Sequence, residues 1–334
     1  MRFLNAADVR AALPMRDAIE AMKLAFSAFS AGRADVPPRI HLGIPQNDGI
    51  SLVMPSFVWG DDPQCLADQA LAVKVASVFE RNPARGHARI QAAVLVFDPQ
   101  TGRPEALLDG ATITAIRTGA ASGAATDLLS RSDSRTLAVF GAGVQARSHI
   151  DAVCAVRPVT SVRIHSRTRS KVDELISEFR NRPEWDVEMR AVSSPADALR
   201  GADIVCATTS ARTPLFVDRE IEEGMHLNAI GSYTPLAREI PSETVVRSRV
   251  VVDSRQAAWD EAGDLILPLK AGLIGPDHIA AEIGEIVAGQ KPGRTTPAEV
   301  TFFKSVGMAV QDAVAARVAL TNAKALGIGR ELDW

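Results

Sequence analysis

The stretch "RTLAVFGAGVQARSHIDAVCAV", residues 135–156, changes character at its centre. Leu137, Ala138, Val139 and Phe140 form a short apolar run that stops at Gly141, the pattern of a strand buried in a parallel sheet. Beyond it, Val144, Ile150, Val153 and Cys154 follow helical spacing. The glycines therefore lie between strand and helix, the context in which a G-x-G-x-x-A reads as a dinucleotide cradle. Gly141 permits the tight turn and Gly143 lets the backbone approach a pyrophosphate. Ala146 allows close helix–strand packing, and the helix N-terminus faces the anion.

The alternation continues downstream. "SVRIHS" (161–166), "DVEMRAV" (186–192), "DIVCATTS" (203–210), "MHLNAIGS" (225–232) and "RVVVDS" (249–254) read as strands. "RSKVDELISEFR" (169–180) and "SPADALRGA" (194–202) read as helices between them. This predicts an α/β fold with a doubly wound parallel sheet, a Rossmann domain. The end of its second strand bears on the cofactor. A carboxylate there would accept the ribose hydroxyls of NAD. Here Ile164-His165 is followed by Ser166, Arg167, Thr168 and Arg169. Guanidinium and hydroxyl groups suit a 2′-phosphate, so NADP(H) is the preferred cofactor and NAD(H) the alternative. Thr208 and Thr209 end the fourth strand, at the sheet edge where cofactor contacts fall.

The flanks differ. "MRDAIEAMKLAFSAFSAG" (15–32) reads as an amphipathic helix capped at Gly32. "RIHLGI" (39–44), "ISLVMPSFVW" (50–59), "LAVKVASVF" (71–79) and "ARIQAAVLVFD" (88–98) read as strands, with turns at "PQNDG" and "DPQTGRP". Together they predict an antiparallel α+β unit. "TITAIRTGAASGAATDLLS" (112–130) is a small-residue helix leading into the nucleotide domain. Residues 296–329, "TPAEVTFFKSVGMAVQDAVAARVALTNAKALGIG", read as one long helix returning to the first domain. The expected division is residues 1–118 with 305–334, and residues 119–304.

Composition narrows the class. The 334 residues are 46% hydrophobic and 23% charged, with a net charge of -3. There is no basic block, so no nucleic-acid footprint is expected. No apolar stretch is long enough to span a bilayer, and "MRFLNAADVR" lacks a secretory pattern; a cytoplasmic enzyme is expected. Cys65, Cys154 and Cys206 are far apart and read as small buried hydrophobes in a reducing compartment. Glu261 and Asp264 in "EAGDL" lack a nearby His or third acidic partner, so no metal is expected.

Several motifs together resemble the ornithine cyclodeaminase/mu-crystallin family. They are "PPRI" with Arg39, "MPSF" with Met54, "AVKVAS" with Lys74, "LLDGATITAIRTGAASGAA" with Arg117, "GAGVQARSH", "NAIGSYTP", "EAGDL" and "TFFKSVGMAVQD". The resemblance implies a nicotinamide-dependent enzyme acting at an imine beside a carboxylate. It also implies a homodimer whose first domain supplies the interface and much of the substrate site. Arg39 and Arg117 match the family's carboxylate-binding arginines, and a guanidinium grips a carboxylate bidentately. Lys74 matches a substrate-site position, and a lysine inside an apolar strand is costly unless paired or working. It either binds the carboxylate or, with a lowered pKa, takes part in proton transfer. Lys304 and Ser305 match a segment that closes over the nicotinamide. The cofactor-contact set is then Thr118, Gly141, Gly143, Val144, Gln145, Ser166, Arg167, Thr168, Thr208, Thr209, Gly231 and Lys304. The substrate set is Arg39, Met54, Lys74, Arg117 and Tyr233, with Lys74 catalytic. His87 reads as an ordinary loop or strand-edge histidine, with proton donor as its alternative role.

One departure bears on the reaction. The family's cyclodeaminases carry an Asp after the fifth strand; in "IGSYTP" that place falls to Tyr233. A tyrosine, with a pKa near ~10, is a poor base for an amino group at neutral pH. A preformed cyclic imine needs only hydride at carbon and a proton at nitrogen. The expected reaction is NADPH-dependent reduction of Δ1-pyrroline-2-carboxylate or Δ1-piperideine-2-carboxylate. Ornithine cyclodeamination, amino-acid dehydrogenation and non-enzymatic ligand storage are the alternatives.

Overall fold

The computed structural model describes residues 1–60, 69–183 and 185–333. Cys65 lies outside them. The chain divides into two compact units, Met1–Arg117 with Met308–Trp334, and Thr118–Gly307.

In the first unit, β1 (Arg2–Leu4) leads into α1 (Ala6–Ala12) and α2 (Met15–Ser30). A reciprocal cap starts α1: the Asn5 side chain accepts from the backbone of Ala7 and Asp8, and Asp8 accepts from the Asn5 backbone. Five further strands precede the last of this series: β2 (Ala34–Asp35), β3 (Ile40–Ile44), β4 (Gly49–Val58), β5 (Ala70–Phe79), β6 (Ile90–Phe97), then β7 (Pro104–Asp109). Strands β3 to β7 pair antiparallel in sequence order. The period-2 pattern puts Met54, Ser56, Ala72, Lys74, Ala76, Val94 and Val96 on the buried face. The opposite phase leaves Ile40, Leu42 and Val75 exposed, with Ile40, Val53 and Val75 in one cross-strand row. The unit is not wholly antiparallel, because β1 joins β7 in parallel.

Helix α3 (Gly110–Leu129) contains the boundary between the units. The second unit then runs β8 (Thr136–Phe140), α4 (Val144–Val156), β9 (Ser161–His165), α5 (Arg169–Arg180), β10 (Glu188–Ala191), α6 (Pro195–Leu199), β11 (Ile204–Ala207) and β12 (His226–Ala229). It continues with α7 (Ser242–Arg247), β13 (Arg249–Val252), α8 (Arg255–Glu261), α9 (Gly263–Lys270), β14 (Ile279–Glu282), α10 (Ile283–Val287) and β15 (Thr301–Lys304). The sheet order is β10-β9-β8-β11-β12-β15-β13-β14, every pair parallel. It is a doubly wound Rossmann sheet. Leu137 and Val139 enter one core layer with Ile150, Val162 and Phe179. Ala138 and Phe140 enter the other with Val205, Leu227 and Phe302. The chain winds outward from β8 through β9 and β10, then returns to β11 on the other side. The crevice above β8 and β11 is thus the topological switch point, where ligands bind in open α/β sheets.

The chain returns to the first unit as α11 (Ala309–Leu326) and β16 (Arg330–Glu331), the latter antiparallel to β1. Helix α11 packs on α2, β4 and β5.

The expected single helix over 296–329 is corrected: its first part holds β15, flanked by β12 and β13. Phe302 and Phe303 are both fully buried, one toward each face of the sheet, which a one-sided helical stripe would not allow. Gly307 and the extended Met308 separate strand from helix. Among the described residues no helix is long and apolar enough to cross a membrane.

Candidate active site

In the second unit a cleft of about 710 Å³ opens at the switch point. Gly141 has φ +105, and a Cβ there would lie 2.9 Å from both the carbonyl oxygen and Oγ1 of Thr208. Thr208 is fixed in turn, donating through N and Oγ1 to the Phe140 carbonyl at 2.9 and 2.8 Å. The turn therefore accepts glycine alone, by conformation and by space. At Gly143 the opposite holds: a Cβ would meet nothing within 4 Å. Gly143 caps α4 without a side-chain hydrogen bond, so the helix presents its first N–H groups to that open space. The site thus fits a pyrophosphate, held by N–H groups and the helix dipole. Val144 is exposed there, and the Oε1 of Gln145 has no hydrogen-bond partner.

Ser166, Arg167 and Thr168 line the same cleft, and Thr168 precedes α5. Lys171 and Arg212 line it too, which the motif reading missed. Lys171 could have been found from its place in the first turn of α5. Arg212, on an irregular loop, carries no such signal.

Beyond Thr208 the cleft floor rests on a buried carboxylate that the sequence did not single out. Glu239 accepts from N and Oγ1 of Thr209, both at 2.7 Å, and from N of Gly231 and Ser232 at 2.8 and 3.2 Å. A Cβ at Gly231 would fall 1.9 Å from the Thr209 carbonyl oxygen. Burial pushes the Glu239 carboxyl above its ordinary range, and Lys304 opposes that shift. Asp264 accepts from N of Glu239 and Ile240 and pairs with the Lys304 ammonium at 2.9 Å. Lys304 also donates to the Ser232 carbonyl, at 2.5 Å, and is fully buried. Its charge is thus held inside this network. Ser305 donates to Asp253, which also accepts from the backbone of Val306 and Gly307. Thr118, on α3, is buried. Tyr233 belongs to this unit and is 48% exposed.

The first unit holds a cluster of charge. Lys74 lies on the buried face of β5, directly across from Met54 of β4. Its ammonium donates to Asp312 Oδ2 at 2.5 Å. Arg117 donates through Nε to Asp312 Oδ1 at 3.0 Å and through Nη1 to Gln311 Oε1 at 2.9 Å. The Met308 backbone also donates to Gln311 Oε1, which fixes the amide's orientation. Burial lowers the Lys74 pKa to about 8, with Arg117 and Arg39 adding to the fall and Asp312 resisting it. Burial would raise the Asp312 carboxyl, but Lys74 and Arg117 outweigh it and hold the group below its ordinary value. Arg39, Met54, Lys74 and Arg117 are therefore brought to one place, and Gln311 and Asp312 join them. A buried lysine requires a partner, and α11 supplies it as Asp312, 238 positions away in sequence.

His87 is exposed, in the turn beyond Pro83–Arg85. Burial pushes the thiols of Cys154 and Cys206 up to about 12, so neither is a nucleophile at neutral pH.

Fold and cleft define a Rossmann-type dinucleotide-binding protein with a second, α+β unit. The sequence profile of the ornithine cyclodeaminase/mu-crystallin family matches residues 1–326, and the chain belongs to that family. A Δ1-pyrroline-2-carboxylate reductase of Bacillus cereus is 37% identical over 338 residues, covering 100% of both chains. The solved Δ1-pyrroline-2-carboxylate reductase of Thermococcus litoralis, in complex with NADH and L-proline, superposes with a TM-score of 0.92 at 39% identity, covering 99% of this chain and 100% of that one. An archaeal alanine dehydrogenase, a dimer with bound NAD, superposes at 0.90 with 28% identity over 100% and 99%.

Proposed function

We propose that the protein reduces a cyclic α-imino acid, Δ1-pyrroline-2-carboxylate or Δ1-piperideine-2-carboxylate, to L-proline or L-pipecolate, with NADPH as the hydride donor. The chain is an NAD(P)H-dependent oxidoreductase acting on carbon–nitrogen double bonds. The observation that carries the finer reading is the buried cluster of Arg117, Lys74 and Asp312, with the charge of Arg39 felt at Lys74. Its two arginines and one lysine outnumber its one carboxylate, so it favours an anionic ligand.

In this reading Arg39 and Arg117 hold the substrate carboxylate. Asp312 and Gln311 take Nε and Nη1 of Arg117, and the remaining N–H groups, Nη2 among them, face the ligand. Met54, directly across from Lys74, bounds the ring. A nicotinamide bound in the cleft would supply the hydride that the imine carbon takes. The nitrogen takes its proton from Lys74, which a pKa of about 8 keeps mostly protonated at neutral pH. Gly141, Gly143, Val144 and Gln145 hold the pyrophosphate; Ser166, Arg167 and Thr168 hold the 2′-phosphate; Thr118, Thr208, Thr209 and Gly231 hold the rest of the dinucleotide. Lys304 serves it indirectly, through Ser232. Lys171 and Arg212 add positive charge to the same cleft, which supports NADPH over NADH. Residues 1–118 with 305–334 bind substrate and residues 119–304 bind cofactor. The exposed Ile40, Leu42 and Val75 on one face of this sheet support a homodimer formed through the first unit. We place the enzyme in the cytoplasm.

The test is a spectrophotometric assay of both cyclic imines with NADPH and with NADH, beside L-ornithine with NAD. Imine reduction should exceed ornithine turnover, and NADPH should be favoured. Ammonia and proline released from ornithine at a matching rate would overturn the assignment.

A further inference from the structure

We infer that Asp312 is the positioning residue that keeps Lys74 charged and aimed as the proton donor, rather than as a second grip on the substrate carboxylate. The inference rests on the imine-reductase reading above. Lys74 is 3% exposed, and its neighbours along β5, Val73 and Val75, are apolar. The charged groups it faces come from elsewhere: Asp312 on α11, Arg117 on α3, and Arg39 before β3. Two of those are guanidiniums, which do not release their protons. Without Asp312 the Lys74 ammonium would be buried among like charges, the setting in which a lysine becomes neutral. Asp312 is itself 1% exposed, and its two oxygens are divided, Oδ2 to Lys74 and Oδ1 to Arg117.

That division separates the two roles open to Lys74. An ammonium has three N–H donors, and one is tied to Asp312. The tether offsets its charge and holds the nitrogen on β5 while leaving other protons free. Asp312 ties Arg117 as well, but the guanidinium keeps a planar fork of N–H donors that matches a carboxylate, whereas the tethered ammonium remains an intact acid. In the step itself the imine carbon gains hydride, the C=N π pair becomes the N–H bond with a proton from Lys74 Nζ, and neutral Lys74 recovers its proton from water. Asp312 touches none of the reacting atoms.

The test is the pH profile of kcat/KM for Δ1-pyrroline-2-carboxylate with NADPH, in wild type, Asp312→Asn and Asp312→Glu. A general acid must be protonated to act, so wild-type activity should fall as pH rises through about 8. Removing the facing negative charge should move that fall about 1–3 pH units lower in Asp312→Asn. The KM for NADPH should not change. Asp312→Glu restores the charge and should return the fall close to its wild-type position. A profile unmoved in Asp312→Asn, or displaced equally in Asp312→Glu, overturns the inference. Should Asp312→Asn fail to fold, Asp312→Glu decides alone by the position of its fall. Failure of both to fold would make Asp312 a purely structural charge and also overturn it. Absence of cyclic-imine reduction by the wild type is a separate result, which removes the proposed function itself.

Discussion

The cofactor cleft and the cation cluster are built on opposite plans. The cleft is lined by three short stretches at strand ends, 140–143, 165–168 and 208–215, and at the first of them α4 presents its free backbone N–H groups. The cluster is made by side chains from β5, α3 and α11, with Lys74 and Asp312 separated by 238 positions. Where backbone binds, the vulnerable residues are those without a side chain. Where charges balance one another, removing one leaves the rest buried and unpaired, and function fails while the fold still has local support.

The widest separation between the two plans should come from Lys74→Met. Its kcat/KM for the cyclic imine should fall about 10²–10⁴-fold, the usual reach of general acid catalysis. NADPH binding, followed by fluorescence titration, should be retained. A fall in both would show the two sites to be less independent than their construction suggests. Gly231→Ala tests the backbone plan. Its Cβ would meet the Thr209 carbonyl, so urea unfolding should show a loss of about 1–3 kcal/mol, with weakened NADPH binding. Wild-type stability and affinity would mean that the loop yields freely. Arg167→Ala removes one charge-assisted contact, about 1.5–3 kcal/mol, so kcat/KM with NADPH should drop roughly ten- to a hundredfold. The value with NADH should hardly move; a wild type that already favours NADH would remove the basis for this expectation. The smallest effect belongs to His87→Asn. His87 is exposed and outside the cluster, so activity should stay within about twofold and stability within ~0.5 kcal/mol. A larger loss would return it to the list of proton donors.

The same contrast explains what could be read in the sequence. Helices α4 and α5 begin and end where their periodic residues do, because strand, glycine turn and helix are local signals. The parallel sheet followed from that alternation. The strand at Thr301–Lys304 was hidden, because a short run apolar on all sides does not reveal its period. Strands β1, β7 and β14 were also missed; β1 and β14 are short, and their pairing is settled by distant partners. Lys74, Arg117 and Arg39 were legible as chemistry out of place and through family motifs. Asp312 and Glu239 were not, since nothing beside them in sequence reveals the ammonium or the N–H groups they serve.

Because α11 closes the first unit, the order of synthesis matters. Strand β5 and residue Arg117 leave the ribosome early, and Thr118–Gly307 follow before Asp312 is made. At about 5–20 residues per second, that interval lasts roughly ten to forty seconds. Throughout it, the nascent sheet carries the Lys74 charge on the face it must later bury, with no carboxylate to meet it. The nucleotide-binding unit already has every strand of its sheet by then. The sheet of the first unit therefore waits on its last helix for the counter-charge that Lys74 needs.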